Sequence, residues 1–177
     1  RFPKVLVAAV NGPAVGIAVT LLLHCDLVYC TPRVTLWAPF TRLALVPEFC
    51  SSVTFVERMG LPKANEMLLL GQKIDAATIE RYNLCSAIIN DSEDHHRGDP
   101  FHPQSIASIV CNKIEKNLLS LPLASETAGI FISLMRRRRQ KYLEGVCKEE
   151  LVKLDERFDR GDCLEAALKL NFGKSKL

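Results

Sequence analysis

The chain has 177 residues, 48% of them hydrophobic and 24% charged, with nine glycines and nine prolines, which excludes a disordered or collagen-like segment and fits one soluble globular domain. At this length about 70% of the unfolded surface is buried on folding, so the fold needs neither disulfides nor a structural metal. A net charge of +3 is too small for a nucleic-acid surface, and the longest nearly uncharged apolar stretch, Pro13 to Leu23, falls short of the roughly 18 to 20 residues of a membrane span.

Lys4 to Val10 reads as a strand stopped by Asn11-Gly12-Pro13. The nearly continuous apolar run Val15 to Leu23 predicts a helix buried on most sides. Leu27 to Cys30 and Val34 to Leu36 read as short strands around Thr31-Pro32, and Pro39 to Ser52 as a loop. Ser51 or Ser52 is then expected to cap a helix to Met59, Pro62 opens one through Leu70, and Asp75 caps one over Ala76 to Tyr82. Leu84 to Ile89 is the last expected strand. Polar residues 91–103 form a connector to helices at about Gln104 to Asn117, Pro122 to Gln140, Tyr142 to Phe158 and Asp162 to Asn171.

Two segments offer chemistry. The turn Asn11-Gly12-Pro13-Ala14-Val15-Gly16, between a strand and a helix, points backbone N–H groups near Gly16 to Ala18 outward. Such groups hold an oxyanion, or the glycine merely serves the turn's dihedrals. Glu48 sits in the otherwise uncharged run Leu43 to Cys50. Burial there raises a carboxyl pKa toward the range a proton shuttle needs; the alternatives are a glutamate turned to water or one at the next helix's amino end.

Other clusters carry less. His95, His96 and His102 with Asp91, Glu93, Asp94 and Asp99 supply metal-ligand types but stand in a loop without ligand spacing, so no metal site is expected. Seven cysteines, an odd number with no C-x-x-C pair, fit small packing residues. The basic run Arg136 to Arg139 fans around a helix and suits a solvated helix end, with a phosphate contact from one or two arginines as the functional reading. The terminal Ser175-Lys176-Leu177 matches the address read by the peroxisomal import receptor.

Ala9 to Gly16, Cys25-Asp26-Leu27-Val28-Tyr29, Pro39-Phe40 and Val46 to Ser52 together resemble the crotonase (enoyl-CoA hydratase/isomerase) superfamily, and within it the peroxisomal Δ3,Δ2-enoyl-CoA isomerases. The resemblance implies an α/β fold of the ββα spiral type: a spiral core over 1–90, the connector 91–103, a helical region over 104–174, and the targeting tripeptide 175–177. It implies a homotrimer, an acyl-CoA substrate and no separate cofactor, because CoA enters as part of the substrate. Glu48 falls where these isomerases carry the carboxylate that moves a proton from C2 to C4 of a 3-enoyl thioester, and Ile17, beside Gly16, matches the second amide of the oxyanion hole. Phe40 and Phe49 are implied at the substrate pocket.

Hydratases of the superfamily use two glutamates to activate water, and the matching positions are Thr20 and Phe40. Single-base isomerisation is therefore expected, in fatty acid β-oxidation or in building a fatty-acid-derived metabolite. Hydratase-type activity and a catalytically silent subunit are the alternatives. Ala44 and Phe49 depart from the family, standing where glycine or another small residue is common. The family's first strands and first oxyanion donor are expected before Arg1, and loss of one such donor costs about 10²- to 10³-fold in kcat.

Overall fold

The computed structural model describes residues 2–90 and 102–172. The connector 91–103, apart from its last two residues, lies outside them, as do His95, His96 and Ser175-Lys176-Leu177. In chain order the strands and α-helices are β1 (Val7–Val10), β2 (Ala14–Val15), α1 (Ile17–Leu22), β3 (Leu27–Cys30), β4 (Thr35–Trp37), α2 (Ser51–Met59), α3 (Leu61–Leu68), β5 (Ile74–Asp75), α4 (Ala76–Arg81), β6 (Ala87–Ile88), α5 (Ile106–Ile114), α6 (Ala124–Asp159) and α7 (Asp162–Phe172), with a 3-10 turn at Thr41–Leu43 and a π-helical turn at Glu115–Leu119.

The strands form two three-stranded sheets, ordered β1-β3-β6 and β2-β4-β5. The first is parallel, with Val7 opposite Leu27 and Tyr29 opposite Ala87. Its central strand, β3, is the nearly all-apolar run Leu27-Val28-Tyr29-Cys30, as expected where both faces are covered. One face meets the main core, which includes Val19, Val28, Phe55, Met67 and Ile79; on the other, Tyr29 packs with Ile106 and Val110 of α5. In the second sheet β2 runs parallel to β4, and β4 antiparallel to β5.

The expected caps and stops account for α3 and α4. Pro62 lies in the first turn of α3, and the Asp75 side chain accepts from the Thr78 N–H at 2.9 Å to cap α4. Three expectations are corrected. The run from Val15 does not make one buried helix: Ala14 and Val15 pair with β4, and Gly16 breaks the chain at φ 58°, ψ −125°, a conformation open to glycine. Of α1, only Val19 and Thr20 are buried, while Ile17 is 53% and Leu21 44% exposed.

Neither Ser51 nor Ser52 caps α2. Its N-cap is Cys50, in the left-handed region at φ 62°, with no side-chain cap of its own. The helices expected on either side of Lys141 are one 36-residue helix, α6, because no proline interrupts the tract and its two glycines, Gly129 and Gly145, are accommodated within it. The basic run is only partly solvated. Arg136 donates to Asp26 and to the carbonyl oxygens of Phe2 and Lys4, and Arg139 pairs with Glu57. These two arginines, three apart, share one helical face and fasten α6 to the β-containing core. Among the described residues, no single helix is long and apolar enough to cross a membrane.

Candidate active site

The loop between β4 and α2 carries Glu48, and its backbone is held at several points. The Glu48 N–H donates to Ser51 Oγ at 3.0 Å, and the Ser51 N–H donates back to the Glu48 carbonyl at 3.0 Å. Ser51 is fully buried, so this reciprocal pair is shielded from water. Phe49 and Cys50 follow with φ of 54° and 62°, two successive residues in a region that side chains disfavour. Ala44, earlier in the loop, has φ 52°. Ala44 and Phe49, the positions singled out as departures from small residues, therefore both require a backbone that glycine adopts more readily.

The loop is also tied to the end of α1. His24 Nε2 donates to the Phe49 carbonyl at 2.8 Å, and the two rings meet edge to face at 4.6 Å between centroids. The hydrogen bond fixes the proton on Nε2, since a carbonyl only accepts.

Among the described residues nothing donates a hydrogen bond to the Glu48 carboxylate. Burial, and then the charge of Glu150, raise its pKa above the ordinary value. A carboxylate in that condition is a stronger base than a solvated glutamate, and its protonated form is correspondingly easier to reach. Cys50 beside it is no nucleophile: burial first, then Cys147 and Glu150, push its thiol up to about 11, and Sγ donates to the Leu143 carbonyl at 3.2 Å.

At the other candidate segment, the Gly16 N–H donates to the Trp37 carbonyl at 2.8 Å and is committed to the sheet. The Ile17 N–H has no acceptor among the described residues. Thr20 is fully buried, and its hydroxyl donates to the Ile17 carbonyl at 3.1 Å. Phe40, 2% exposed, belongs to the main core. The structure thus joins α1 to the Glu48 loop through His24 and Phe49, and places Phe40 inside the packing beneath.

The sequence reading missed Glu150. Lying on α6 and only 8% exposed, its carboxylate accepts from the Cys50 N–H at 2.6 Å, the Ser52 N–H at 2.9 Å and Ser52 Oγ at 2.5 Å. It supplies the cap that the first turn of α2 lacks. A signal was present: Leu143, Cys147, Glu150 and Leu154 recur at helical spacing, so a carboxylate occupies the inward stripe of α6. A charge in that stripe needs buried donors.

A family model described as enoyl-CoA hydratase/isomerase matches residues 1–98. Enoyl-CoA delta isomerase 2 of Rattus norvegicus is 36% identical over 176 residues, 99% of this chain and 41% of that protein. Peroxisomal enoyl-CoA delta isomerase 3 of Mus musculus is 34% identical over 99% of this chain and 50% of that protein. Among solved structures, OdaA of Pseudomonas aeruginosa matches with a TM-score of 0.82 and 31% identity, over 99% of this chain and 64% of that one. The chain therefore spans half or less of the length of these two curated relatives.

Proposed function

The chain belongs to the enoyl-CoA hydratase/isomerase (crotonase) family and has its mixed α/β fold, and from that premise we propose that it serves an enoyl-CoA isomerase that converts a 3-enoyl-CoA to the trans-2-enoyl isomer. Glu48 takes a proton from C2 of the thioester. The electron pair of that C–H bond passes into the conjugated enolate, whose oxygen lies against the Ile17 N–H. Protonation at C4 by the carboxyl just formed moves the double bond and regenerates the base. No water is consumed and no cofactor is required. The apolar side chains of Ile17 and Leu21, one helical turn apart, and of Phe49 suit a fatty acyl tail.

The observation that carries this reading is the Glu48 carboxylate itself, half-buried, raised in pKa and without a hydrogen-bond donor among the described residues, on a loop whose backbone is pinned. One group that both accepts and returns a proton is helped by a pKa raised toward the working pH, the direction in which burial moves Glu48. Isomerisation is favoured over hydration because Thr20 and Phe40 are buried and carry no carboxylate. Names of relatives support the same activity, and the word peroxisomal in one of them, with the terminal Ser-Lys-Leu, supports import into that organelle.

The test is turnover of a 3-enoyl-CoA by the full-length protein and by Glu48→Gln. Loss of at least about 10²- to 10⁴-fold in kcat is expected for removal of the acid–base group. Undiminished activity in the variant, or formation of a 3-hydroxyacyl-CoA from a 2-enoyl-CoA at a rate exceeding isomerisation, contradicts the proposal.

A further inference from the structure

We infer that Glu150 is a positioning residue for the Glu48 base, its carboxylate reaching from α6 to fasten the turn that presents Glu48. The inference rests on the assignment of Glu48 above. Its ground is the set of three hydrogen bonds that Glu150 accepts from Cys50 and Ser52, one hundred residues away in the chain from Cys50.

Two features make this more than a tie between helices. Glu48, Phe49, Cys50, Ser51 and Ser52 form one continuous turn, in which Ser51 holds both backbone groups of Glu48 while Glu150 holds the N–H groups on either side of Ser51. Phe49 and Cys50 are both left-handed, so this turn has a more relaxed alternative available to it. With the Glu150 bonds gone, relaxation of Phe49 and Cys50 would swing Glu48 directly. A misplacement of about 1 Å in a reacting group is enough to cost about 10²-fold in rate.

Charge adds a second effect. Among the described residues, the groups facing this turn are Glu150, Arg139 and Cys147 from α6, His24 just after α1, and Cys50 within the turn itself. Arg139 is engaged by Glu57. Glu150 is the neighbour whose charge acts on Glu48, raising its pKa after burial has done so. The same carboxylate therefore aims the base and helps keep its proton affinity high.

The experiment compares Glu150→Gln and Ser52→Ala with the full-length wild type, measuring kcat and KM for a 3-enoyl-CoA across pH together with thermal unfolding. Glu150→Gln is expected to lower kcat by about 10- to 100-fold with little change in KM, and to move the acid limb of kcat to lower pH because a like charge has been removed. Ser52→Ala, which keeps the charge and loses one bond, is expected to lower kcat with the acid limb in place. A Glu150→Gln protein that melts earlier but keeps wild-type kcat and acid limb overturns the inference and leaves Glu150 a structural tie. If Glu150→Gln does not fold, wild-type kcat in Ser52→Ala overturns it instead. Full activity in Glu48→Gln refutes the base assignment; an inactive Glu48→Gln beside an unaffected Glu150→Gln refutes the positioning role alone.

Discussion

Burial raises the Glu48 pKa above its ordinary 4.5, and the Glu150 carboxylate adds to the shift, so the native state binds this proton more tightly than the unfolded chain. Ionising Glu48 therefore opposes folding. The penalty is absent below the unfolded pKa, grows as pH rises from there through the native value, and is complete above it. Glu48→Gln keeps the shape and removes the charge. It is expected to melt higher than wild type at neutral pH, with the gain disappearing on acidification below the ordinary glutamate pKa, as thermal unfolding across pH will register. The uncharged run around Glu48 made it legible in the sequence as a perturbed carboxylate. Glu150 was not legible in the same way, because it stands beside Lys148 and Glu149 and is distinguished only by its helical phase.

Among the elements, α6 makes one of the connections between the Glu48 loop and the rest of the molecule, beside that made by His24. Arg136 and Arg139 hold it at Asp26 and Glu57, and Glu150 holds it at the start of α2. At 1.5 Å per residue, the fourteen residues from Arg136 to Glu150 make a rigid spacer of about 21 Å. Lys141→Pro, at an exposed position between them, is expected to destabilise the fold by about 3 kcal/mol or more and to lower isomerase kcat beyond what lost stability explains. Denaturant unfolding and turnover of the folded fraction measure the two effects separately. Local chemistry foretold the strands at Val7 and Leu27 and the Asp75 cap. The short pairing of Ala14 and Val15 with β4 escaped notice because a partner more than twenty residues away decides it. The length of α6 escaped for the opposite reason: expected boundaries near Lys141 had no proline to enforce them.

At the scale of the whole molecule, the proposed acyl-CoA substrate gives a role to the apolar side chains of Ile17, Leu21 and Phe49, which lie exposed at the surface. A large exposed apolar area commonly marks a place where a ligand or another protein surface rests. The proposed destination is tested on a reporter fused to the terminal residues of the chain: import into peroxisomes is expected, and deletion of Ser175-Lys176-Leu177 should leave the reporter in the cytosol. Single-base isomerisation makes a more specific demand, that hydrogen leaving C2 has a chance of arriving at C4 on the same carboxyl group. The decisive measurement is the fate of deuterium during conversion of a 3-enoyl-CoA dideuterated at C2 by the full-length protein. Deuterium appearing at C4 of the trans-2-enoyl product, and lost with activity in Glu48→Gln, is the predicted result; C4 deuterium undiminished in a fully active Glu48→Gln variant would contradict the account.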